Sequence, residues 1–312
     1  MSVAMVFPGQ GSQTPGMGKD IYDAFPCAKE VFEEVDEALG QKLSDIIFFG
    51  SDEELTLTEN TQPALMTVSM AALAVLRKEG KMNLADKISF VAGHSLGEYA
   101  ALCAAGALSL TDTAKLLRIR GKAMQEAVPT GKGAMVALLG VEPKDAKEIA
   151  EAASDGGKRV CQVANDNAVG NIVLSGHADA IEKAIELATK FKFRKLAVSA
   201  PFHCSLMAPA ADVMKDALNS VTVHVPSVPV VANVIAAPTA DTAEIKELLV
   251  KQVTGTVRWR ESILFLARQN VDTVLEVGAG KVLTSINKRT VPELNGINLS
   301  SAQALEEYMK TL

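Results

Sequence analysis

The stretch Lys87-Ile88-Ser89-Phe90-Val91-Ala92-Gly93-His94-Ser95-Leu96-Gly97 decides the fold. Its first six residues predict a short buried strand, and the alanine-rich segment from Glu98 to Ala107 predicts a buried helix. Between them, Gly93 to Gly97 fits the GxSxG pattern, a sharp strand-to-helix turn that holds a serine out at the edge of a sheet. The pattern also occurs in purely structural turns. In this context, however, it predicts a nucleophile elbow with Ser95 as the nucleophile.

The segments on either side of this turn indicate an α/β protein. Ser2 to Phe7, Val228 to Val234 and Thr273 to Val277 each predict a buried strand, and amphipathic segments that predict helices separate them. We therefore expect a large, discontinuous α/β-hydrolase-like domain with a parallel sheet, formed by residues 1–130 and 200–312.

Residues 131–199 have a different pattern and predict an inserted small subdomain. The order of the predicted elements is βαββαβ, which is typical of a ferredoxin-like antiparallel sheet. The predicted elements are a strand at 134–139, a helix at 143–153, strands at 159–164 and 171–174, a helix at 178–190 and a strand at 194–198.

Composition narrows the class of protein further. Of the 312 residues, 48% are hydrophobic and 22% are charged, as in an ordinary globular protein. No apolar run reaches the roughly 18 to 20 residues of a membrane span, and the N-terminus does not resemble a signal peptide. The four cysteines are scattered without metal-ligand spacing, so we expect reduced thiols, no metal and a cytoplasmic location. The net charge of −6 disfavours a general affinity for nucleic acid.

A serine nucleophile needs a base, and the four histidines differ in their suitability. His94 lies inside the elbow, His177 begins a predicted helix, and His224 alternates with valines on the solvated face of a predicted strand. His203 lies in the loop between the last small-domain strand and the large domain, so it is the candidate base; an ordinary loop histidine is the alternative. No acidic residue stands out as a third triad member, and a backbone carbonyl can orient the imidazole instead. A neutral histidine base predicts an acid limb near pH ~6 to 7.

The glycine-rich loop Gly9-Gln10-Gly11 follows the first predicted strand. It matches neither the dinucleotide fingerprint nor the P-loop, because Thr14 and Gln13 stand where those patterns require glycine. Its backbone can approach a substrate closely, so the N–H of Gln10 can act as an oxyanion donor beside the N–H of Leu96; a plain tight turn is the alternative.

Several motifs together resemble the family of bacterial malonyl-CoA:acyl carrier protein transacylases, and the resemblance runs from end to end. The motifs that carry it are Phe7-Pro8-Gly9-Gln10-Gly11-Ser12-Gln13, Gly93-His94-Ser95-Leu96-Gly97-Glu98-Tyr99, Arg120-Gly121-Lys122, Met124-Gln125-Glu126-Ala127-Val128-Pro129, His203-Cys204 and Glu276-Val277-Gly278. The chain departs from the family at Val169, where proline is usual, and around Val257, which lacks a common preceding proline. Phe202 stands where serine is frequent; in related polyketide acyltransferases, phenylalanine there accompanies malonyl selection.

The resemblance implies a malonyl ester on the serine, ping-pong transfer to the phosphopantetheine thiol of acyl carrier protein, and no metal or redox cofactor. The implied site residues are Ser95 as nucleophile, His203 as base, the N–H groups of Gln10 and Leu96 as oxyanion donors, Arg120 as the ligand of the malonyl carboxylate, and Gln252, whose main-chain carbonyl orients the histidine. A polyketide-pathway malonyl acyltransferase, a serine thioesterase and a non-catalytic carrier-binding module are the alternatives.

The helix that contains Arg120 supports its assignment. Thr111 is expected to cap a helix that runs to about Val128. At ~100° per residue Arg120 falls on the apolar side, where an arginine is rarely found unless its charge is paired. A structural ion pair with an acidic neighbour is the alternative. The residues expected on the opposite, solvated arc are Lys115, Arg118, Lys122, Gln125 and Glu126.

Overall fold

The computed structural model describes residues 2–312 and contains two β-sheets. The larger sheet has the order β10-β9-β1-β2-β7-β8; its strands pair in parallel except for β8, which is antiparallel to β7. The smaller sheet has the order β4-β5-β3-β6 and is antiparallel. The strands are β1 Val3–Phe7, β2 Phe90–Gly93, β3 Gly133–Leu139, β4 Cys161–Ala168, β5 Asn171–His177, β6 Lys192–Lys195, β7 Val230–Ala232, β8 Ala237–Thr239, β9 Thr273–Val277 and β10 Asn295–Leu299.

Helices cover both sheets. They are α1 Lys19–Ala24, α2 Pro26–Leu39, α3 Leu43–Phe49, α4 Asp52–Thr56, α5 Thr58–Lys78, α6 Leu84–Lys87, α7 Gly97–Ala104, α8 Leu110–Glu126, α9 Pro143–Ala153, α10 Ala178–Leu187, α11 Ala208–Asn219, α12 Thr242–Thr254, α13 Trp259–Arg268, α14 Val282–Thr290 and α15 Ala302–Met309. None of the helices within residues 2–312 is both long and apolar enough to cross a membrane.

The central strands of the large sheet are apolar on both faces because helices pack on each side. Met5 and Phe7 of β1 point into the main core, which α2, α5, α7 and α8 share. Ala4 and Val6 of the same strand point to the opposite face, where the fully buried Trp259 of α13 packs. This continuous burial explains why the parallel strands show apolar runs instead of strict alternation.

The small sheet packs differently on its two faces. Val136 and Leu138 of β3 pack against α9 and α10, whose alanine-rich faces bring helix and sheet close together. Met135 and Ala137 of the same strand join the main core instead. The small sheet is therefore anchored in the large core by the alternate side chains of one strand.

Polar contacts also fix the small sheet to the large one. Asp166 of β4 accepts a bidentate pair from the guanidinium of Arg260, with N···O distances of 2.7 to 3.0 Å. Its backbone N–H donates to the carbonyl of Val257 at 2.9 Å, and the N–H of Val257 donates to Ala164 at 2.8 Å. These bonds tie β4 of the small sheet to Val257 and to α13, which packs on the large sheet.

Several boundaries differ from those that the sequence predicts. The strand predicted from Lys87 begins at Phe90, because Asn83 caps a short helix that ends at Lys87. Thr111 does not cap α8: the Oγ of Ser109 accepts from the N–H of Asp112 at 3.0 Å and donates to its carboxylate, so the helix begins earlier.

Two surface predictions also need correction. His224 is exposed as expected, but residues 221–225 form no strand: Val223 packs into the main core, Val225 is exposed, and the His224 N–H donates to the carbonyl of Ala107. Arg118 is half-buried, because its Nη1 donates to the side chain of Asn60 at 2.6 Å.

Candidate active site

The serine of the elbow is held in a strained turn between β2 and α7. Ser95 has φ of 54°, in the left-handed region that non-glycine residues rarely adopt. A Cβ atom at Gly93 would collide with the carbonyl oxygen of Gly97, and one at Gly97 would collide with that of Phe7. Both glycines are therefore required for the close approach of the helix to β1 and β2.

His203 is in contact with this serine, as the sequence predicts. The Oγ of Ser95 and the Nε2 of His203 are 2.7 Å apart, and the Nδ1 of His203 lies 2.9 Å from the main-chain carbonyl of Gln252. Because a carbonyl oxygen only accepts hydrogen bonds, Nδ1 carries the proton and Nε2 is free to accept the hydroxyl proton. His203 also has a positive φ of 57°, so both residues of the pair are held by their surroundings in strained conformations.

The surroundings keep this imidazole neutral. Burial, assisted by the positive charge of Arg120, lowers the pKa of His203 from its ordinary value of 6.5 to about 3. This lowered pKa predicts an acid limb for the free protein at lower pH than an ordinary histidine would give. A neutral imidazole is the form that can take the proton of Ser95.

Arg120 reaches the site from α8 and is 1% exposed. Its Nη1 donates to the Gln62 side chain at 2.8 Å, and its Nη2 donates to the Gln252 side chain at 2.8 Å and to Ser95 Oγ at 3.2 Å. Within the part of the chain that the structure describes, no carboxylate oxygen lies within 4.0 Å of the guanidinium.

The structural ion pair that was the alternative for Arg120 is therefore absent among residues 2–312. Its oxygen partners are neutral amides and the serine hydroxyl, and its Nε has no hydrogen-bond partner in this region. The carboxyl of Glu98 acts on this cation only from beyond 4.0 Å. A buried cation whose direct partners are all neutral is costly, and an anion placed beside it would be bound strongly.

Two backbone N–H groups near Ser95 are free. Across residues 2–312, neither the N–H of Gln10 nor that of Leu96 donates to another protein atom. Both residues line the same cavity as Ser95. Leu96 also lies at the N-terminus of α7, where the helix dipole favours negative charge. The pair can therefore donate to an oxygen that becomes negative beside the serine.

The cavity around Ser95 measures about 270 Å³ and lies between the two sheets. Apolar side chains form much of its wall, including Met124 and Met135, and Phe202 lies next to the histidine. Arg194 of β6 brings a positive charge to the same cavity. This volume accommodates a short acyl chain better than a long one.

Three further polar residues contact the site residues, and no sequence pattern singles them out: Gln62, Glu98 and Asn233. Gln62 of α5 and the side chain of Gln252 hold the Arg120 guanidinium. Glu98 accepts from Gln252 Nε2 at 2.8 Å, and burial raises the pKa of Glu98 to about 7. Asn233 binds the backbone of the elbow. Burial of polar side chains in one cluster is the signal that identifies them, and it is visible only after folding.

The structure brings all six sequence-predicted site residues together around one cavity or in direct contact with its lining: Gln10, Ser95, Leu96, Arg120, His203 and Gln252. The other histidines do not contact the serine hydroxyl. His177 accepts from the Val160 N–H, and His94 Nε2 lies 2.8 Å from Asn167 Oδ1, which ties the elbow to the small sheet.

The fold and the site together define a class of protein: an α/β acyltransferase with a half-buried serine at the end of a parallel strand and a buried histidine beside it. Comparison with known families matches residues 4–310 to the acyl transferase domain. The chain belongs to this family, among the malonyl CoA-acyl carrier protein transacylases.

Individual relatives support this placement. The chain is 45% identical to the malonyl CoA-acyl carrier protein transacylase of Bacillus subtilis, over 99% of this chain and 97% of that protein. It superposes on the acyl-carrier-protein S-malonyltransferase of Bartonella henselae with a TM-score of 0.96 and 52% identity, covering 100% of this chain and 99% of that one. A malonyl-transacylase solved with a type II polyketide synthase acyl-carrier protein has a TM-score of 0.95 and 37% identity, with both chains covered in full.

Proposed function

We propose that the chain transfers the malonyl group of malonyl-CoA to the phosphopantetheine thiol of acyl carrier protein through an ester on Ser95, supplying malonyl-carrier protein for fatty acid biosynthesis. The observation that carries the proposal is the buried guanidinium of Arg120, which has no carboxylate in direct contact within residues 2–312 and whose Nη2 lies 3.2 Å from the Ser95 hydroxyl. It would pair with the free carboxylate of a malonyl group whose thioester carbon lies at the serine.

In the first half-reaction, Ser95 Oγ attacks the thioester carbon while His203 Nε2 accepts the hydroxyl proton. The carbonyl oxygen becomes negative and accepts hydrogen bonds from the N–H groups of Gln10 and Leu96. When the C–S bond breaks, the proton on Nε2 passes to the leaving coenzyme A thiolate. A malonyl ester remains on Ser95.

The second half-reaction reverses these steps with another thiol. The phosphopantetheine thiol of the carrier protein gives its proton to His203 Nε2, and its sulfur attacks the ester carbon. The C–O bond to Ser95 breaks, and Oγ takes the proton back. Because coenzyme A leaves before the carrier protein reacts, the kinetics are expected to be ping-pong. The carbonyl of Gln252 keeps the imidazole in one tautomer throughout.

The chemistry of these steps needs no metal or redox cofactor, and we propose none. We also propose the domain division 1–130 with 200–312 and 131–199, in which the large part is α/β-hydrolase-like and the small part ferredoxin-like. The strand order of the small sheet and its two covering helices support this description. A cytoplasmic location is proposed as well, supported by four free cysteines.

The test is a direct measurement of malonyl transfer to the carrier protein. The protein is mixed with malonyl-CoA and phosphopantetheinylated carrier protein, and intact mass spectrometry follows both proteins. We expect malonyl on the enzyme first and on the carrier protein after its addition, and no transfer in Ser95→Ala. A thioesterase would release free malonate without a lasting adduct. To show which pathway the enzyme serves, kcat/KM is measured with a fatty-acid carrier protein and with a polyketide carrier protein, and the two values are compared.

A further inference from the structure

Asn233 joins the two ends of the turn that carries the nucleophile. It follows β7 and is fully buried. Its Oδ1 accepts from the backbone N–H of Ser95 at 2.8 Å, and its Nδ2 donates to the carbonyl of Gly93 at 2.7 Å. One carboxamide therefore satisfies an acceptor on Gly93, the last residue of β2, and a donor on Ser95, in the turn before α7.

The backbone of Asn233 is itself held firmly. Its N–H donates to the carboxylate of Glu98 at 3.1 Å, and its carbonyl accepts from the N–H of Arg258 at 3.0 Å. The carboxamide thus projects from a fixed strand end, more than a hundred residues away in sequence from the turn that it binds.

The bond to Ser95 also separates the roles of two neighbouring N–H groups. The Ser95 N–H is occupied by Asn233, whereas the Leu96 N–H has no acceptor within residues 2–312. Ser95 has a positive φ, and a strained residue keeps such a conformation only where its surroundings impose it. Without the carboxamide, the turn could relax, and both Oγ and the Leu96 N–H would move relative to His203.

We propose that Asn233 is a positioning residue for the acyl-transfer reaction: its carboxamide holds the strained turn so that Ser95 Oγ stays in line with His203 and the Leu96 N–H stays free for the oxyanion. This inference rests on the proposed function. The role of Asn233 concerns the geometry of the reacting atoms, so its loss should lower kcat. Binding of malonyl-CoA should change little, because Arg120 binds its carboxylate independently of Asn233.

The experiment measures steady-state kinetics and the rate of malonyl-enzyme formation for Asn233→Ala. We expect kcat and the acylation rate to fall by about 10²-fold, the usual effect of a misplacement near 1 Å, with KM for malonyl-CoA changed less than about threefold. The matched control is Asn287→Ala, which removes another buried asparagine; its Oδ1 accepts from the Trp259 indole at 2.8 Å, and Asn287 does not line the cavity. The control is expected to lower the melting temperature and keep kcat.

A folded Asn233→Ala protein with the kcat of the control would overturn the proposal, because the residue would then contribute only stability. If Asn233→Ala does not fold, the same kinetics are measured for Asn233→Asp. This variant keeps the side-chain volume and the acceptor for the Ser95 N–H but loses the donor to the Gly93 carbonyl, so kcat should fall at least about tenfold. Unchanged kcat in that variant also overturns the inference. Failure of the proposed function is distinguishable, since the unaltered protein would then form no malonyl adduct.

Discussion

Replacing Arg120 with alanine should convert a malonyl-selective enzyme into one that no longer prefers a carboxylated acyl group. The guanidinium can offer its two Nη groups to a carboxylate, and charge-assisted hydrogen bonds contribute roughly 1.5 to 3 kcal/mol each. The loss of two such bonds is about 3 to 6 kcal/mol, or about two to four powers of ten in kcat/KM for malonyl-CoA. Acetyl-CoA has no carboxylate, so its kcat/KM should change little.

The assay compares kcat/KM for malonyl-CoA and acetyl-CoA, using carrier protein as the acceptor. Arg118→Ala is the matched control: it removes another arginine of α8, whose guanidinium binds Asn60 instead of lining the cavity. It should keep the preference for malonyl-CoA. Melting temperatures are measured in parallel, because Arg120→Ala leaves the oxygens of Gln62 and Gln252 without their donor. Full malonyl selectivity in Arg120→Ala, with only a lower melting temperature, would refute the assignment.

Three other results are expected. Burial and Arg120 lower the pKa of His203 to about 3, so kcat/KM for malonyl-CoA should stay level well below pH 6.5. Arg120→Ala should move the acid limb of this pH profile to higher pH. An unshifted limb would contradict the effect of Arg120 on the His203 pKa. Burial raises the pKa of Glu98 from 4.5 to about 7, so as pH rises the Glu98 carboxyl loses its proton in the unfolded state before it does so in the folded state. The free energy of unfolding should therefore fall by up to about 3 kcal/mol from pH 4.5 to 7. Denaturant titrations of Glu98→Gln should lack this pH-dependent fall. β6 is exposed and carries Lys192 and Arg194, so we predict that it docks the carrier protein, which we expect to be acidic. Lys192→Glu should then raise KM for the carrier protein alone, whereas Arg194→Glu should raise KM for both substrates because Arg194 also lines the cavity. Equal effects of Lys192→Glu on both substrates would argue against docking at β6.

The sequence predicts those parts of the molecule that local chemistry determines. The GxSxG turn needs glycine on both sides of Ser95 for steric reasons, so its pattern is visible in five consecutive residues. Helix α9 was predicted at its observed bounds, 143–153, since a proline begins it and an apolar stripe follows. Of the six predicted site residues, four come from local pattern and chain position, and Arg120 and Gln252 come from the family motifs. The structure places all six together, and their roles stay predictions.

What the sequence does not predict depends on contacts between distant segments. Gln62, Glu98 and Asn233 come from α5, α7 and the end of β7, and no spacing relates them. Gln62 accepts from Arg120, Glu98 accepts from the Asn233 N–H, and Asn233 binds the elbow. The burial of these side chains is a property of the folded chain. The lowered pKa of His203 also depends on the folded chain, since burial and the neighbouring Arg120 determine it.

The most direct test of the central claim is to locate the acyl group after a single turnover. The enzyme is mixed with malonyl-CoA, quenched in acid, digested and sequenced by tandem mass spectrometry, with Ser95→Ala and His203→Ala treated in the same way. We expect one malonyl group per chain, on Ser95 alone, formed far more slowly in His203→Ala and absent in Ser95→Ala. A malonyl group on another residue, or an undiminished adduct in Ser95→Ala, would contradict the account.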